Sequence, residues 1–375
     1  MKQICVLGGG RVGSTIAFDL SKNFEVTVVD KENKNIKILE KRFGVKTLAK
    51  DLSDSKVVSK TVEEFDAVVD AFPGEIGYKT LKTVVEAGKQ MCDVSFFPEN
   101  PFTLDDVARR KQVTAIVDCG VAPGLSNIAV GYASSLMEKT ENVKILVGGL
   151  PKNPDNILKY KAPFSPADVI EEYIRPVKCV RNNRVVTLPA LSELETIEIP
   201  GVGKLEAFNT DGLRTLIHTL PAKNMVEKTL RYPGHAEKMF FLRETGFFNK
   251  TLVDVEGVKV KPLDVTAALL FPLWRFEEGE RDFTVMEITV EGVKDGENVC
   301  YKLSLFDETD DETGMLSMAR VTGYTTASIL RMLIKGLVNK KGIVPPEQIG
   351  MKKELYKTVI EDLKSRGIKI EEGWC

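Results

Sequence analysis

A chain that runs from an apolar strand straight into glycines at positions 8, 10 and 13 has few ways to fold. Ile4-Cys5-Val6-Leu7 leads into the G-x-G-x-x-G register of Gly8, Gly10 and Gly13, and an amphipathic segment follows. Val26-Thr27-Val28-Val29-Asp30 then reads as a second strand, ending on an acid twenty residues after Gly10. Each glycine has a separate reason: a tight turn at Gly8, backbone access to a pyrophosphate at Gly10, and close helix–strand packing at Gly13. The N–H groups that open the helix, at Arg11, Val12 and Gly13, point at an anion. Asp30 is placed to accept hydrogen bonds from ribose hydroxyls, and its charge opposes an additional phosphate. The expected cofactor is therefore NAD rather than NADP, although Lys31 follows directly.

Strands and helices continue to alternate. A helix is expected from about Asn33 to Phe43, with Ile36, Leu39 and Phe43 in helical spacing, then a strand at Val45 to Leu48. Further strands are expected at Asp66 to Ala71, Gln90 to Asp93 and Val113 to Val117, with Tyr78, Leu81, Val84 and Val85 forming the buried stripe of one intervening helix. Such alternation implies a doubly wound parallel sheet of the Rossmann type with right-handed crossovers. Ligands lie beyond the carboxyl ends of such strands, which selects Ala71, Phe72 and Pro73, then Asp93, Val94 and Ser95, then Asp118, Cys119 and Gly120. Asp51, just past the third strand, is a candidate adenine-edge contact or a loop cap.

The texture changes after Pro123-Gly124. A strand at Val143 to Leu150 and hairpins at Val177 to Leu188, Glu195 to Phe208, Leu252 to Val260 and Thr284 to Leu305 predict a mainly antiparallel sheet. Helices are expected from a cap at Asp211 to Leu220, from Pro262 through Val265, Ala268 and Leu269, and around Thr326 through Leu337. The implied division is a dinucleotide-binding domain at 1–122, an α+β substrate and dimerisation domain at 123–325, and C-terminal helices at 326–375 that pack back on the first domain.

Bulk properties narrow the partners. With 52 basic and 54 acidic residues and no basic tract, nucleic acid is not expected. No apolar run approaches the ~18 residues of a membrane span, and the strand-first start argues for a cytoplasmic protein. The six cysteines are scattered and form no cluster with the two histidines, so neither disulfides nor a metal site is expected.

A nicotinamide enzyme uses side chains mainly to hold the donor carbon and manage protons. Asp118 is a candidate proton acceptor or ammonium partner, with turn capping as the alternative. Cys119 reads as a small buried residue. Thr210 and Asp211 are candidates for receiving a substrate carboxylate at a helix start, unless Asp211 only caps. Arg231 is a candidate carboxylate clamp or one half of a buried ion pair. His235 is a candidate proton relay or a structural histidine.

These residues sit in motifs that resemble the saccharopine dehydrogenase superfamily, most closely its shorter lysine 6-dehydrogenase branch. The motifs are Gly8 to Gly13, Asp118-Cys119-Gly120-Val121-Ala122-Pro123-Gly124, Val147-Gly148-Gly149-Leu150-Pro151, Leu205-Glu206-Ala207-Phe208, Leu230-Arg231-Tyr232-Pro233-Gly234-His235-Ala236-Glu237-Lys238, Met318-Ala319-Arg320 and Val344-Pro345-Pro346-Glu347-Gln348-Ile349. The resemblance implies NAD(P)-linked oxidation at a carbon–nitrogen bond and homodimers, or higher homo-oligomers, built through the second domain. It also implies nicotinamide and substrate contacts from Ser95, Phe96, Asp118 to Pro123, Thr210 and Arg231. The expected reaction is NAD-dependent oxidative deamination of the side-chain amine of L-lysine, giving ammonia and a semialdehyde that cyclises. The alternatives are a saccharopine- or carboxynorspermidine-type oxidoreductase and a non-catalytic NAD-binding module.

Overall fold

The computed structural model describes residues 1–31, 39–41 and 43–375. The chain forms two compact units, one of residues 1–136 and 319–368, the other of residues 137–318 and 369–375. The first break falls after the 122/123 boundary read from the sequence and the second falls before the 325/326 one, while residues 369–375 leave the first unit. Consequently the helix Leu125–Ser135 belongs to the first unit, and the last strand returns to the second.

In the first unit the strands are β1 (Gln3–Leu7), β2 (Glu25–Asp30), β3 (Lys46–Ala49), β4 (Ala67–Asp70), β5 (Gln90–Asp93) and β6 (Thr114–Ile116), joined by Gly342–Val344. The sheet runs 342–344, β6, β5, β4, β1, β2, β3, and every pairing is parallel. Ile4, Cys5, Val6 and Leu7 are fully buried, as a central parallel strand covered on both faces requires. The seventh strand is only three residues long, too short for alternation to reveal it in the sequence. Of the helix expected from about Asn33 to Phe43, Asn33 and Ile36 lie outside the described residues. Residues 39–41 are helical, and Phe43 packs its ring 4.8 Å from that of Phe18.

The helix Arg11–Ser21 buries Ile16, Ala17 and Leu20, and with them Asp19. The Asp19 carboxylate receives Arg331 (2.7 Å) and Arg366 (2.9 Å), which come from two C-terminal helices, Ser317–Ile334 and the end of Lys353–Lys364. Burial alone would raise its pKa, but hydrogen bonds and charge from the two guanidiniums hold it below the ordinary carboxylate value.

The second unit carries β7 (Lys139–Pro151), β8 (Val177–Arg181), β9 (Arg184–Leu188), β10 (Glu195–Ile199), β11 (Gly203–Asn209), β12 (Ala222–Arg231), β13 (Val253–Val255), β14 (Val258–Val260), β15 (Asp282–Lys294) and β16 (Glu297–Glu308). The large sheet runs β10, β11, β12, β7, β15, β16 and then Lys369–Trp374. The hairpins form at the expected turns, with Asn182, Asn183, Asp295 and Gly296 all at positive φ. One pairing, β12 with β7, is parallel, and β13 and β14 stand apart as a two-stranded sheet.

Three expectations are corrected here. Asp211 caps no helix: only Leu216–Thr219 is helical nearby, and the Asp211 carboxylate accepts instead from the Lys178 N–H at 3.3 Å. The helix Pro262–Leu273 forms, but Val265 and Leu269 face solvent while Thr266 and Leu270 are buried. A disulfide joins Cys300 to Cys375, with Cα atoms 5.2 Å apart. Cys300 lies on β16 and Cys375 directly follows the strand that pairs with it, so sheet register unites residues that sequence spacing left unrelated.

Asp19→Asn should destabilise the protein by about 3 kcal/mol in urea unfolding, because it removes one side of a buried ion pair and leaves two half-buried cations. The Asp19 contribution should also fade as pH falls through its depressed pKa, whereas the variant should lack that acid-side dependence.

Candidate functional site

In the first unit the glycine turn has the shape a dinucleotide needs. Gly8 holds φ +98°, a conformation that a side chain would strain. A Cβ on Gly13 would stand 2.0 Å from the Gly8 carbonyl oxygen, so only glycine lets the helix sit this close to the strand end. Gly10 faces open space: a Cβ there would meet nothing within 4 Å, and a phosphate can approach its backbone. The helix that begins at Arg11 has no capping side chain and no acid in its first turn, so its positive end is available to an anion. Asp30, half-buried at the end of β2, accepts the Gly9 N–H at 2.6 Å and thereby stands at the turn itself. The residues present fit a dinucleotide: Gly8, Gly10, Arg11, Val12 and Gly13 would take the pyrophosphate, and Asp30 a ribose.

The remaining strand ends line up along the same edge of the sheet. Ala71 and Phe72 are half-buried and Pro73 is exposed after β4; Ser95 is buried and Phe96 half-buried after β5. Asp70 accepts the Phe72 N–H at 3.0 Å, and Asp93 accepts both the N–H and the hydroxyl of Ser95 at 2.9 and 2.7 Å. Asp118 is 2% exposed and adopts φ +52° just past β6. Cys119 is buried, donates its thiol to the Ile116 carbonyl at 3.3 Å, and has a pKa driven well up by burial, which makes it inert. Gly120, Val121 and Pro123 form a loop folded tightly on itself, with the Ala122–Pro123 bond cis. Asp51 is exposed and accepts the Ser53 N–H at 2.9 Å, a loop cap.

In the second unit a polar row runs along one face of β12. Glu227, Thr229 and Arg231 alternate with Val226, Lys228 and Leu230, and all six are buried. Thr210 donates to Glu227 at 2.6 Å and meets the Thr229 hydroxyl at 2.8 Å, while the Gly212 N–H also reaches Glu227. Burial pushes the Glu227 carboxyl up to about 8 despite the Thr210 bond, so it is largely protonated at neutral pH.

Arg231 is engaged by its own unit. It pairs with Glu172, stacks over the Tyr160 ring at 4.3 Å, and donates to the Leu230 carbonyl. The structure thus shows a buried ion pair rather than a clamp open to a substrate carboxylate. His235 is also enclosed: Nδ1 lies 2.7 Å from the Leu158 carbonyl, which can only accept, so Nε2 accepts from the Tyr173 hydroxyl at 2.9 Å. Burial lowers its pKa to about 3, with the Arg231 charge adding to the effect, and the ring stays neutral. A relay needs a nitrogen free to exchange a proton; His235 has none, and it packs against the rings of Tyr160 and Tyr173 as a core residue.

Sequence reasoning did not find Tyr160, Glu172, Tyr173 or Glu227. The first three come from a loop and a helix more than 50 residues before Arg231 and carry no local pattern. Glu227 did carry one: with Thr229 and Arg231 it forms an every-second-residue polar series within the buried stretch from Met225 to Arg231.

Two family profiles match the chain, "Saccharopine dehydrogenase NADP binding domain" over residues 4–116 and "Saccharopine dehydrogenase C-terminal domain" over residues 120–368. The chain is 23% identical to the saccharopine dehydrogenase (NADP(+), L-glutamate-forming) of Schizosaccharomyces pombe, across 87% of this chain and 88% of that one. It is 21% identical to the carboxynorspermidine synthase of Vibrio cholerae, across 92% of each. It also matches the mouse mitochondrial alpha-aminoadipic semialdehyde synthase at 22% identity, spanning 98% of this chain but 47% of that protein. The apo saccharopine dehydrogenase of Saccharomyces cerevisiae has the same fold, with a TM-score of 0.79 at 19% identity and full coverage of both chains. With both profiles matched in order and the second alone covering more than half of the residues, the chain belongs to the saccharopine dehydrogenase family.

Proposed function

We propose that the protein is an NAD-linked oxidoreductase that removes the side-chain amine of an amino acid, with L-lysine as substrate. The observation that carries the cofactor assignment is the Asp30 carboxylate held against the glycine turn by the Gly9 N–H. A carboxylate there favours ribose hydroxyls and repels a 2′-phosphate. The fission-yeast relative is named for NADP(+), so Asp30 is where this chain is inferred to differ. The dinucleotide, when bound, accepts a hydride; everything else falls to side chains.

A small substrate is supported by the alignment to that relative, which runs over 404 positions while covering 87% of a 375-residue chain. Much of the alignment therefore falls opposite gaps in this chain, and the chain lacks segments that the larger enzyme has. An ammonium has no lone pair to support loss of hydride from the adjoining carbon, and freeing lysine's amine at neutral pH costs roughly 4–5 kcal/mol. With the His235 ring enclosed, Asp118 is the acceptor we assign to that proton. We also infer a homodimer. The second reading, condensation with a carbonyl partner or its reverse, is favoured by the relatives named saccharopine dehydrogenase and carboxynorspermidine synthase.

Absorbance at 340 nm with NAD and a panel of lysine, ornithine, saccharopine and polyamines separates the readings. Lysine alone should reduce NAD and release ammonia; reduction by saccharopine only would establish the second reading. At saturating dinucleotide the rate on lysine should climb from pH 7 to 10, following the free amine. Asp118→Asn should lower kcat by about 10²-fold or more while leaving the dinucleotide Kd within about twofold. Asp30→Ser should raise the NAD Kd about tenfold and narrow the gap to NADP, read by fluorescence titration of both; an unchanged ratio would place ribose recognition elsewhere.

A further inference from the structure

Asp70 and Asp93 occupy directly opposed register positions at the ends of β4 and β5, and both are wholly buried. One oxygen of each is committed to the loop that follows: Asp70 Oδ1 to the Phe72 N–H, Asp93 Oδ1 to the N–H and hydroxyl of Ser95. The other oxygen of each, Oδ2, is buried and receives no donor from the surrounding protein. As in-register neighbours on adjacent parallel strands, the two side chains project side by side from the same face of the sheet. Two carboxylates have no hydrogen to share, and two adjacent buried anions with no cation between them repel.

We propose that Asp70 and Asp93 share one proton across β4 and β5 and, so joined, act as positioning residues that hold the Phe72 and Ser95 loops in the shape that receives the dinucleotide. The inference rests on the cofactor site assigned above. It gives that site a pH dependence of its own, separate from the ionisation of the substrate amine.

The groups around the pair agree with this. Burial first, then the neighbouring Asp93 charge, drives the Asp70 carboxyl well above the ordinary range. Burial, with Asp118 adding to it, brings Asp93 to about 7 even though Ser95 pulls the other way. Cys119, the titratable group next along, has a thiol raised by burial and stays neutral. The folded protein therefore keeps a proton that the unfolded chain releases near pH 4. The pair's contribution to stability falls as pH rises from about 4 through 7, because the folded state binds more protons there. Loss of the proton sets the two carboxylates against each other and displaces the N–H and hydroxyl groups they hold.

The test compares wild type with Asp93→Asn and Asp70→Asn. In each variant the amide nitrogen can donate to the remaining carboxylate and its oxygen can still accept from the loop. NAD affinity of the wild type, titrated by protein fluorescence without substrate, should weaken about tenfold between pH 6 and 9, the effect of a pKa about one unit higher in the bound state. Asp93→Asn should be flat over that range, and Asp93→Ala should bind weakly at every pH. Infrared difference spectra of the wild type should show a protonated-carboxyl band that weakens between pH 6 and 9 and is absent from either Asn variant. A wild type with no such band, or an Asp93→Asn variant with the wild-type pH profile, would overturn the proposal. If NAD fails to bind at any pH, the cofactor assignment falls, while the infrared band still decides whether the proton is shared.

Discussion

The whole first unit depends on how closely a helix can approach a strand end. At Gly13 a single methyl group would meet the Gly8 carbonyl oxygen at 2.0 Å, so the start of the helix rests against the turn that closes β1. That contact directs the helix N-terminus beyond the sheet edge and leaves the Gly10 backbone open. It also brings the far end of the same helix to Arg331 and Arg366, where Asp19 ties it to the C-terminal helices. One close approach thus orients both the anion-facing end and the buried ion pair.

What was legible in the sequence follows from the range of the interactions involved. The glycine turn, Asp30 and the strand ends at Phe72, Ser95 and Asp118 are specified by neighbours within a few residues, and patterning exposes them. The hairpin turns at Asn182-Asn183 and Asp295-Gly296 are equally local, because positive φ favours particular residues. Arg231 and His235 were visible as residues but not as environments. Their partners, Glu172, Tyr160, Tyr173 and the Leu158 carbonyl, arrive through tertiary packing, and only that packing turns a candidate clamp and relay into an ion pair and a core ring. The Cys300–Cys375 bond escaped notice for the same reason, being a product of sheet register.

Both units keep polar groups inside regular structure where apolar ones would pack with less cost. The row Glu227, Thr229 and Arg231 lies on a strand whose ten residues are nearly all buried, and Asp70, Asp93 and Asp118 end adjacent strands with at most 2% exposure. Burial raises the Asp93 and Glu227 carboxyl pKa values to about 7 and about 8, which places charge changes where an amine oxidoreductase operates. Family membership supplies the reaction class.

Neither unit is continuous along the chain. The parallel sheet takes its edge strand from residues 342–344, and the mixed sheet takes its own from residues 369–374. Up to the end of β16, then, a growing chain has made most of both sheets and can complete neither. Asp19 waits for guanidiniums encoded more than 300 positions later, and β16 shows the ribosome's surroundings an unpaired edge. Each sheet therefore closes only once its late segment, 342–344 for the parallel sheet and 369–374 for the mixed one, has joined it.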